Sequence, residues 1–534
     1  MLWKERNNIF TYSGLILLGA LMLYLAWPPL HLNYLIFLGF VPLLMMENHI
    51  RNESAKPGSK VFFVSFFTFL LWNIFTTWWI WYASPGGAVL AILCNALLMC
   101  IPFMWFHFIQ KRLAKKYAYI ALCIFWMGFE YFHLNWDGNW PWLNLGNCWA
   151  GQPNWIQWYE YTGFEGGTLW IWIVNILIFE AIKNFKSDPK KSYKIISLSF
   201  IVIAFPIIFS YLIKPIPPKG ELQNAVAVQP NIDPYQKFSG NAAQQLNTLI
   251  RLSESLIDTN TILLVWPETA ITEEINESYI NQFHSIIEIR TFLKKHPKIK
   301  LISGMNSYQE YTKETKSESA HLSVRTGIWY DIFNSGILMD SGQEVSVYHK
   351  SRLVPGVEVI PFEHALSFLG SFAINMGGGG GSLGTQKEPS VFKVSDKIVA
   401  APVICYESIF GEYISQYVRK GANIITIFTN DGWWENTDGY KQHVMYAQLR
   451  AIEERMFIVR AANTGTSCFI QSDGSLQKTT AWWTEKAIKS PIVLKTKDTF
   501  YAQFGDLMGK ISLYLGLGIY FIYFIFRVLA RLFA

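Results

Sequence analysis

Charge is scarce in this chain. Of its 534 residues only 16% are Asp, Glu, Lys or Arg, while 51% are hydrophobic and 16% aromatic, and the formal net charge is +6. A surplus that small, with its basic residues gathered in short loops, offers no continuous positive surface and excludes a nucleic-acid partner. Cysteine is scarce too. The chain has 6, no pair of them has metal-ligand or thioredoxin-like spacing, and Cys94, Cys100 and Cys123 sit in long apolar segments. Neither a zinc site nor a disulfide scaffold is expected. No glycine-rich phosphate loop follows a strand. The run Gly377–Gly381 has no Lys-Ser/Thr behind it and reads as a flexible loop, a hinge or lid that moves with Phe362–Phe372. Neither a metal nor an organic cofactor is implied.

What the chain has in plenty is long apolar segments. Spans are expected near 9–28, 33–47, 61–83, 88–110, 117–134, 168–183 and 193–214, with a last one near 511–531. Basic residues fall in every second connection: Arg51, Lys56 and Lys60, then Lys111, Arg112, Lys115 and Lys116, then Lys186, Lys190, Lys191 and Lys194. The positive-inside rule makes those loops cytoplasmic, together with Lys4 and Arg6 at one terminus and Arg527 and Arg531 at the other, so about eight crossings leave both termini cytoplasmic. The expected domains are a membrane part, 1–214, an extracytoplasmic part, 215–505, and a C-terminal transmembrane helix, 506–534. The first segment shows no small-residue cleavage site and is expected to be a retained anchor. Trp136, Trp140, Trp142, Trp149, Trp155 and Trp158 crowd the connection 135–167. They read as an aromatic belt at the outer interface, with a lipid-facing platform as the alternative, and Glu130 reads as a carboxylate near the headgroups.

From 221 to 500 the apolar runs shorten and alternate with polar residues. Strands are expected over 224–229, 262–266, 299–304, 327–339, 345–349, 423–429, 457–462 and 467–471; helices over 242–257, most of 274–294, 409–419 and 440–455; and a flexible polar excursion over 305–326. That mixture predicts a layered α/β or α+β domain of sheets covered by helices.

Three apolar runs in this region end on reactive side chains. Ala401-Pro402-Val403-Ile404 delivers Cys405, Leu263-Leu264-Val265-Trp266-Pro267 delivers Glu268, and Val345-Ser346-Val347-Tyr348-His349 delivers Lys350. Strand ends of this kind converge on one rim of a sheet. A thiol nucleophile needs a base to take its proton and a donor for the oxyanion formed on the substrate carbonyl. Glu268 suits the first role and Lys350 the second, and the ammonium would favour the thiolate of Cys405. His349, His364 and His443 leave a histidine relay open. Taken singly, each residue has a plainer reading: a cysteine in an apolar run is usually a small core residue, as Cys468 is expected to be, Glu268 an N-cap or surface ion-pair partner, and Lys350 a solvated strand end. Glu407 has the plainer role of holding a loop by accepting backbone N–H bonds. Trp433 and Trp434 follow Asn430-Asp431-Gly432, a turn that would present an indole to solvent or lipid rather than to the core.

Taken together, Trp266-Pro267-Glu268-Thr269, Tyr348-His349-Lys350 with Leu353-Val354-Pro355, and Ile404-Cys405-Tyr406-Glu407 resemble the signatures of the nitrilase (carbon-nitrogen hydrolase) superfamily. Joined to spanning segments, they resemble the apolipoprotein N-acyltransferase family within it. Pro141–Gly146, Val228–Ile232, Thr429–Trp434, Gln442–Ala451, Arg460–Gly465 and Gly505-Asp506 carry the likeness over the whole chain. The resemblance implies an αββα fold on the outer face of a bacterial inner membrane and a ping-pong reaction. Cys405 takes an acyl chain from a phospholipid as a thioester, and the α-amine of a diacylglyceryl apolipoprotein accepts it. It further implies Glu268 as general base, Lys350 as oxyanion partner, Glu358 and Glu407 as supporting carboxylates, Tyr406 and Trp433 as aromatics near the thioester, and a monomer. Trp434 and Phe238 join Trp433 as expected lipid contacts. The sequence departs from the family pattern at Pro355-Gly356-Val357-Glu358 and at Phe238, where a tryptophan is expected. Two other functions compete with this one: a membrane-tethered amidase acting on a small amide, which would need no lipid platform, and an idle scaffold, which would have no use for all of the reactive residues.

Overall fold

The computed structural model of this chain describes residues 2–215, 223–362, 382–495 and 497–532. His364 and the run Gly377–Gly381, and with them the expected lid apart from Phe362, lie outside the described residues. The chain divides into two compact units: Met1–Trp81, Pro85–Lys214 and Asp506–Ala534 form one, and Tyr82–Ser84 with Pro215–Gly505 the other.

The first unit is helical because its segments are apolar for long enough to be so. Among the described residues, Pro57–Thr77, Pro85–Gln110, Tyr159–Asn184, Pro189–Ile213 and Leu507–Ile525 are long and apolar enough to cross a bilayer, and Phe10–Ala26 is a shorter apolar helix. The segment expected at 33–47 is interrupted. A 3-10 turn, Asn33–Leu35, and a short helix, Ile36–Gly39, precede the helix Val41–Glu53. Asn175 satisfies backbone groups on both sides of the break: Phe40 N–H donates to its Oδ1 at 2.9 Å and its Nδ2 donates to Ile36 O at 2.9 Å.

The tryptophan-rich connection divides. Trp136, Trp140 and Trp155 are half-buried, but Trp142 and Trp149 are wholly buried inside the unit rather than belted around it, with Trp149 against Trp170 at 4.7 Å and Trp142 against Trp79 at 4.9 Å. The 3-10 turns Pro141–Leu143 and Leu145–Gly151 fold these rings inward, where each indole removes more apolar surface from water than it would at an interface. Glu130 is buried too. It accepts from Leu145 N–H at 2.7 Å, Thr168 Oγ1 at 2.7 Å and Trp126 Nε1 at 3.1 Å, so it ties the connection to its helix.

The second unit is a sandwich of two sheets. Its strands are β1 (Asn224–Gln229), β2 (Thr261–Val265), β3 (Ile271–Asn276), β4 (Lys300–Tyr311), β5 (His321–Leu322), β6 (Trp329–Met339), β7 (Val345–His349), β8 (Phe392–Lys393), β9 (Val399–Ile404), β10 (Ile424–Thr429), β11 (Ile458–Ala462), β12 (Cys468–Ile470), β13 (Leu476–Gln477) and β14 (Lys486–Pro491). One sheet runs β14-β1-β2-β4-β6-β5, with β3 beside β4 and β7 beside β6; the other runs β13-β12-β11-β10-β9-β8. Strands β1, β2 and β4 are parallel, as are β9, β10 and β11, which is why both read as unbroken apolar runs. Helices Ala242–Glu254 and His284–Lys294 lay Leu246, Leu249, Ile286 and Ile289 on the first sheet in one cluster with Val226, Leu264 and Leu301. Helices Gly411–Arg419 and Asp438–Glu454 contact β9 and β12 of the second. The layering is therefore αββα.

Most of 274–294 is helical as expected, in two pieces: after the end of β3 come a 3-10 segment, Glu277–Gln282, and the helix His284–Lys294. One local reading fails. The stretch 305–326 is not all excursion, because β4 continues to Tyr311 in antiparallel register with β6. Polar side chains there satisfy one another, Ser307 with Ser335 at 2.7 Å and both Ser307 and Gln309 with Glu277 at 2.6 Å, so the strand lacks the apolar alternation that would announce it.

Gly304 on β4 marks how closely this sheet passes beneath the β2 turn. A Cβ there would stand 2.4 Å from Thr269 N and 2.7 Å from Glu268 Cα, backbone atoms that cannot rotate away. Gly304→Ala is expected to cost about 1–3 kcal/mol. The loss would appear as a lower unfolding midpoint of the detergent-purified chain, and an unchanged midpoint would mean that β4 yields freely.

Candidate active site

Glu268 follows β2, Lys350 follows β7, and Cys405 follows β9. The first two therefore leave one sheet and the third leaves the other. The residues do meet, at the rim of the sandwich rather than of a single sheet, because sheet packing brings together strand ends that no single sheet holds side by side.

Lys350 is 1% exposed and lies between two carboxylates, 2.8 Å from Glu358 Oε1 and 3.4 Å from Glu268 Oε1. Asn334 on β6 bridges them, its Nδ2 donating to Glu268 Oε1 at 2.7 Å and to Glu358 Oε1 at 3.0 Å. Each carboxylate spends its second oxygen on a backbone donor: Asn430 N–H reaches Glu268 Oε2 at 2.9 Å, and Val354 N–H reaches Glu358 Oε2 at 2.8 Å. Burial by itself depresses the Lys350 ammonium, but Glu358, Glu268 and Cys405 outweigh it and hold it above the usual lysine range. A lysine so held stays cationic, which suits it to stabilise an oxyanion and unsuits it as a base.

The Cys405 thiol is pushed up, first by burial and then by the charge of Glu268, against the pull of Lys350 and a hydrogen bond from Thr429. Lys350 pulls the thiol towards its thiolate, in the expected direction, but burial and Glu268 outweigh it, so Cys405 rests as a protonated thiol. Cys405 also has a φ of 49°, a backbone state that non-glycine residues seldom adopt.

Two buried networks hold that strained turn. Glu407 accepts from Ile404 N–H at 2.8 Å, Ser351 N–H at 2.7 Å, Arg352 N–H at 3.3 Å and Tyr348 O–H at 2.6 Å. It thereby joins the cysteine turn to the lysine turn, the loop-holding role that its neighbours allowed for. Burial pushes its carboxyl up to about 7 against those donors and Lys350. On the other side, His443 meets Cys405 O at 3.1 Å and Ser408 Oγ at 3.0 Å through Nε2, and Asp431 Oδ1 at 3.0 Å through Nδ1. Arg460 donates to both Asp431 oxygens, at 3.1 and 3.0 Å. Although burial opposes it, the neighbouring Arg460 and His443 keep the Asp431 carboxyl below its usual range. His443 thus grips the backbone of the cysteine turn rather than its thiol. His349 turns away to Glu277, at 2.7 Å.

The expected aromatic contacts divide. Tyr406 is buried against Phe410, with ring centres 5.2 Å apart. Trp434 sets its ring edge-on to His443 at 5.3 Å, and Trp433 sets its own edge-on to Tyr235 at 5.3 Å. Phe238 is 42% exposed. Sequence reasoning missed Asn334, Asn430, Asp431 and Arg460 as parts of the site, and Lys237, whose Nζ donates to Glu268 O at 2.7 Å and Thr269 Oγ1 at 2.8 Å. Asn430, Asp431 and Arg460 lie in segments noted for their family likeness; nothing in the local pattern points to Asn334 or Lys237.

Residues 224–499 match the model of a family described as carbon-nitrogen hydrolase, and residues 19–177 match one described as apolipoprotein N-acyltransferase N-terminal domain. Relatives described as apolipoprotein N-acyltransferase align over nearly the whole chain. One from Chlorobaculum tepidum is 28% identical over 516 residues, 93% of each chain. Another, from Geobacter metallireducens, is 24% identical over 92% of this chain and 91% of its own. A third, from Thermotoga maritima, is 23% identical over 96% of this chain and 93% of its own.

The Glu407 network makes stability depend on pH. Its carboxyl rises from 4.5 to about 7 on folding, so the folded state holds this proton more tightly. The resulting stabilisation is complete below the unfolded value and is lost as pH rises through about 7. Glu454 shifts in the same direction, so the comparison must be with Glu407→Gln. The unfolding midpoint of the native chain, relative to that variant, is expected to fall between pH 5 and pH 7.5. A difference that stays flat with pH would contradict it.

Proposed function

The chain belongs to the carbon-nitrogen hydrolase family, in the branch of the apolipoprotein N-acyltransferases, and on that premise we propose that Cys405 carries an acyl group from a membrane phospholipid to the amino terminus of an apolipoprotein. The observation that carries the assignment of roles is the buried thiol, held protonated beside Glu268, with the cationic Lys350 placed between that base and Glu358.

In the first half-reaction the Glu268 carboxylate takes the thiol proton as Sγ attacks the ester carbonyl of the phospholipid. The carbonyl electron pair moves onto oxygen, where the Lys350 ammonium faces the new charge. Collapse breaks the bond to the glyceryl oxygen, which leaves with the proton held by Glu268, and the acyl group remains as a thioester on Cys405. In the second half the acceptor's neutral α-amine attacks that thioester and Glu268 takes its proton. Collapse then breaks the C–S bond and the thiolate recovers the proton from Glu268. The base is used in the same sense twice, so nothing else need titrate. Glu358 and Asn334 position Lys350 and Glu268, while Glu407 and the pair His443–Asp431 hold the turn from which the thiol projects. Trp433 and Phe238 serve as contacts for the acyl chain, and Trp434 and Tyr406 back the site from within.

The distribution of basic residues supports about eight crossings with both termini cytoplasmic and 215–505 on the outer face of the inner membrane. Residues 1–214 and 506–534 are then the membrane part and 215–505 the catalytic part. A single chain suffices for the chemistry, because base, oxyanion partner and nucleophile all come from one unit. Tethering both lipid substrates to one leaflet raises their effective concentration at the thiol.

Incubation with phospholipid alone should add one acyl chain to the intact mass of the native protein. Hydroxylamine should remove it, and Cys405→Ala should never gain it. Lys350→Met should slow formation of the adduct by about 10²–10³-fold, the usual cost of losing one oxyanion donor. An adduct on Cys405→Ala, or none on the native protein while lipid is demonstrably bound, would rule out the thioester route.

A further inference from the structure

Lys237 is an unexpected residue to find inside this unit. It is 1% exposed and, among the described residues, it pairs with no carboxylate. Both acceptors of its ammonium are neutral: Glu268 O at 2.7 Å and Thr269 Oγ1 at 2.8 Å. A lysine buried this far must satisfy its Nζ within the protein, and both groups that satisfy it belong to the turn that carries Glu268.

Its place suggests a purpose. Thr269 has a φ of 47°, so the turn that carries the base is strained and needs to be held. Asn334 and Asn430 fix the carboxylate end of Glu268; Lys237 fixes its backbone end. Lys237 itself lies on the segment between β1 and the helix Ala242–Glu254. That segment is anchored where Asn463 bonds Ile232, its Nδ2 donating to Ile232 O at 2.7 Å, and where Gln245 Nε2 donates to Lys237 O at 2.9 Å. Between those anchors stands Tyr235, 54% exposed and edge-on to Trp433, and directly after the second stands Phe238, 42% exposed. One short segment thus carries both exposed rings and the ammonium that grips the base's turn.

We propose that Lys237 is a positioning residue for the general base, holding the Glu268–Thr269 turn so that the carboxylate stays aimed at Cys405 and fastening the Tyr235–Phe238 segment to it. This role rests on the acyl-transfer reading of the site. Burial lowers the Lys237 ammonium to about 7, and Glu268, the charged group that bears on it, pulls the other way. The two charges steady each other across the turn.

The test uses the full chain in detergent and follows single-turnover acylation of Cys405 by intact mass, against phospholipid concentration. Lys237→Met should slow acylation at saturating lipid by about 10²-fold, as misplacing a reacting group by an ångström does, with the half-saturating lipid concentration unchanged. A pin that merely holds the lipid-facing segment in place would change the half-saturating concentration instead. Thr269→Val, which removes one acceptor and keeps the lysine, should slow the reaction by a few-fold at the same half-saturating concentration, and it serves if Lys237→Met does not fold. The positioning role is overturned if Lys237→Met acylates at the native rate, if its defect lies in the half-saturating concentration alone, or if Thr269→Val acylates at the native rate. Native protein that forms no thioester at all refutes the acyl-transfer reading instead.

Discussion

A positive charge buried between two negative ones governs the catalytic unit. Lys350 can leave water only because Glu268, Glu358 and Asn334 surround it, and each of these comes from a different element: the end of β2, the turn after Lys350 itself, and the middle of β6. An ammonium that lost both carboxylates would be left uncompensated at a cost of about 3–5 kcal/mol. The site is therefore formed only when the first sheet is complete. The same pairing separates what the charged groups can do, because a lysine held protonated can stabilise an oxyanion but cannot accept a proton, while a carboxylate beside it can.

A second constraint acts on the backbone. Cys405 and Thr269 both sit at positive φ, one carrying the buried thiol and the other following Glu268, and such residues persist only where their surroundings over-determine them. Glu407 and His443 do this for the cysteine turn from opposite sides, by accepting its N–H and by meeting its carbonyl. Lys237 and the close approach of Gly304 do it for the turn after β2. Strain at the two reacting ends is thus met by buried polar groups, which explains why so many ionisable residues lie in the interior of this unit.

The helical unit solves a related problem with single buried side chains. Its broken segment at 33–47 frees backbone donors and acceptors, and Asn175 takes them up. Its long connection folds inward, and Glu130 accepts a backbone N–H, a hydroxyl and an indole N–H from the connection and the helices beside it. In both places a buried backbone group is met by a side chain of the same unit.

Sequence alone determined a good deal here. Apolar runs long enough to span a bilayer, runs that end abruptly on Glu268, Lys350 and Cys405, and most of the strands of the sandwich follow from the composition of a few consecutive residues, because burial on both faces or on one leaves a local pattern. Strand β4 beyond Gly304 escaped, since its polar side chains bond one another instead of facing an apolar core. Tertiary structure alone decided which ends meet. That the thiol of Cys405 comes from one sheet and Glu268 and Lys350 from the other, that Asn334 bridges two carboxylates, and that Lys237 reaches 31 residues along the chain to the carbonyl of Glu268 depend on packing between distant segments. It also decided the protonation of Cys405, because a thiol's affinity for its proton follows from burial and from the sum of nearby charges, and neither exists until the sheets have closed over it.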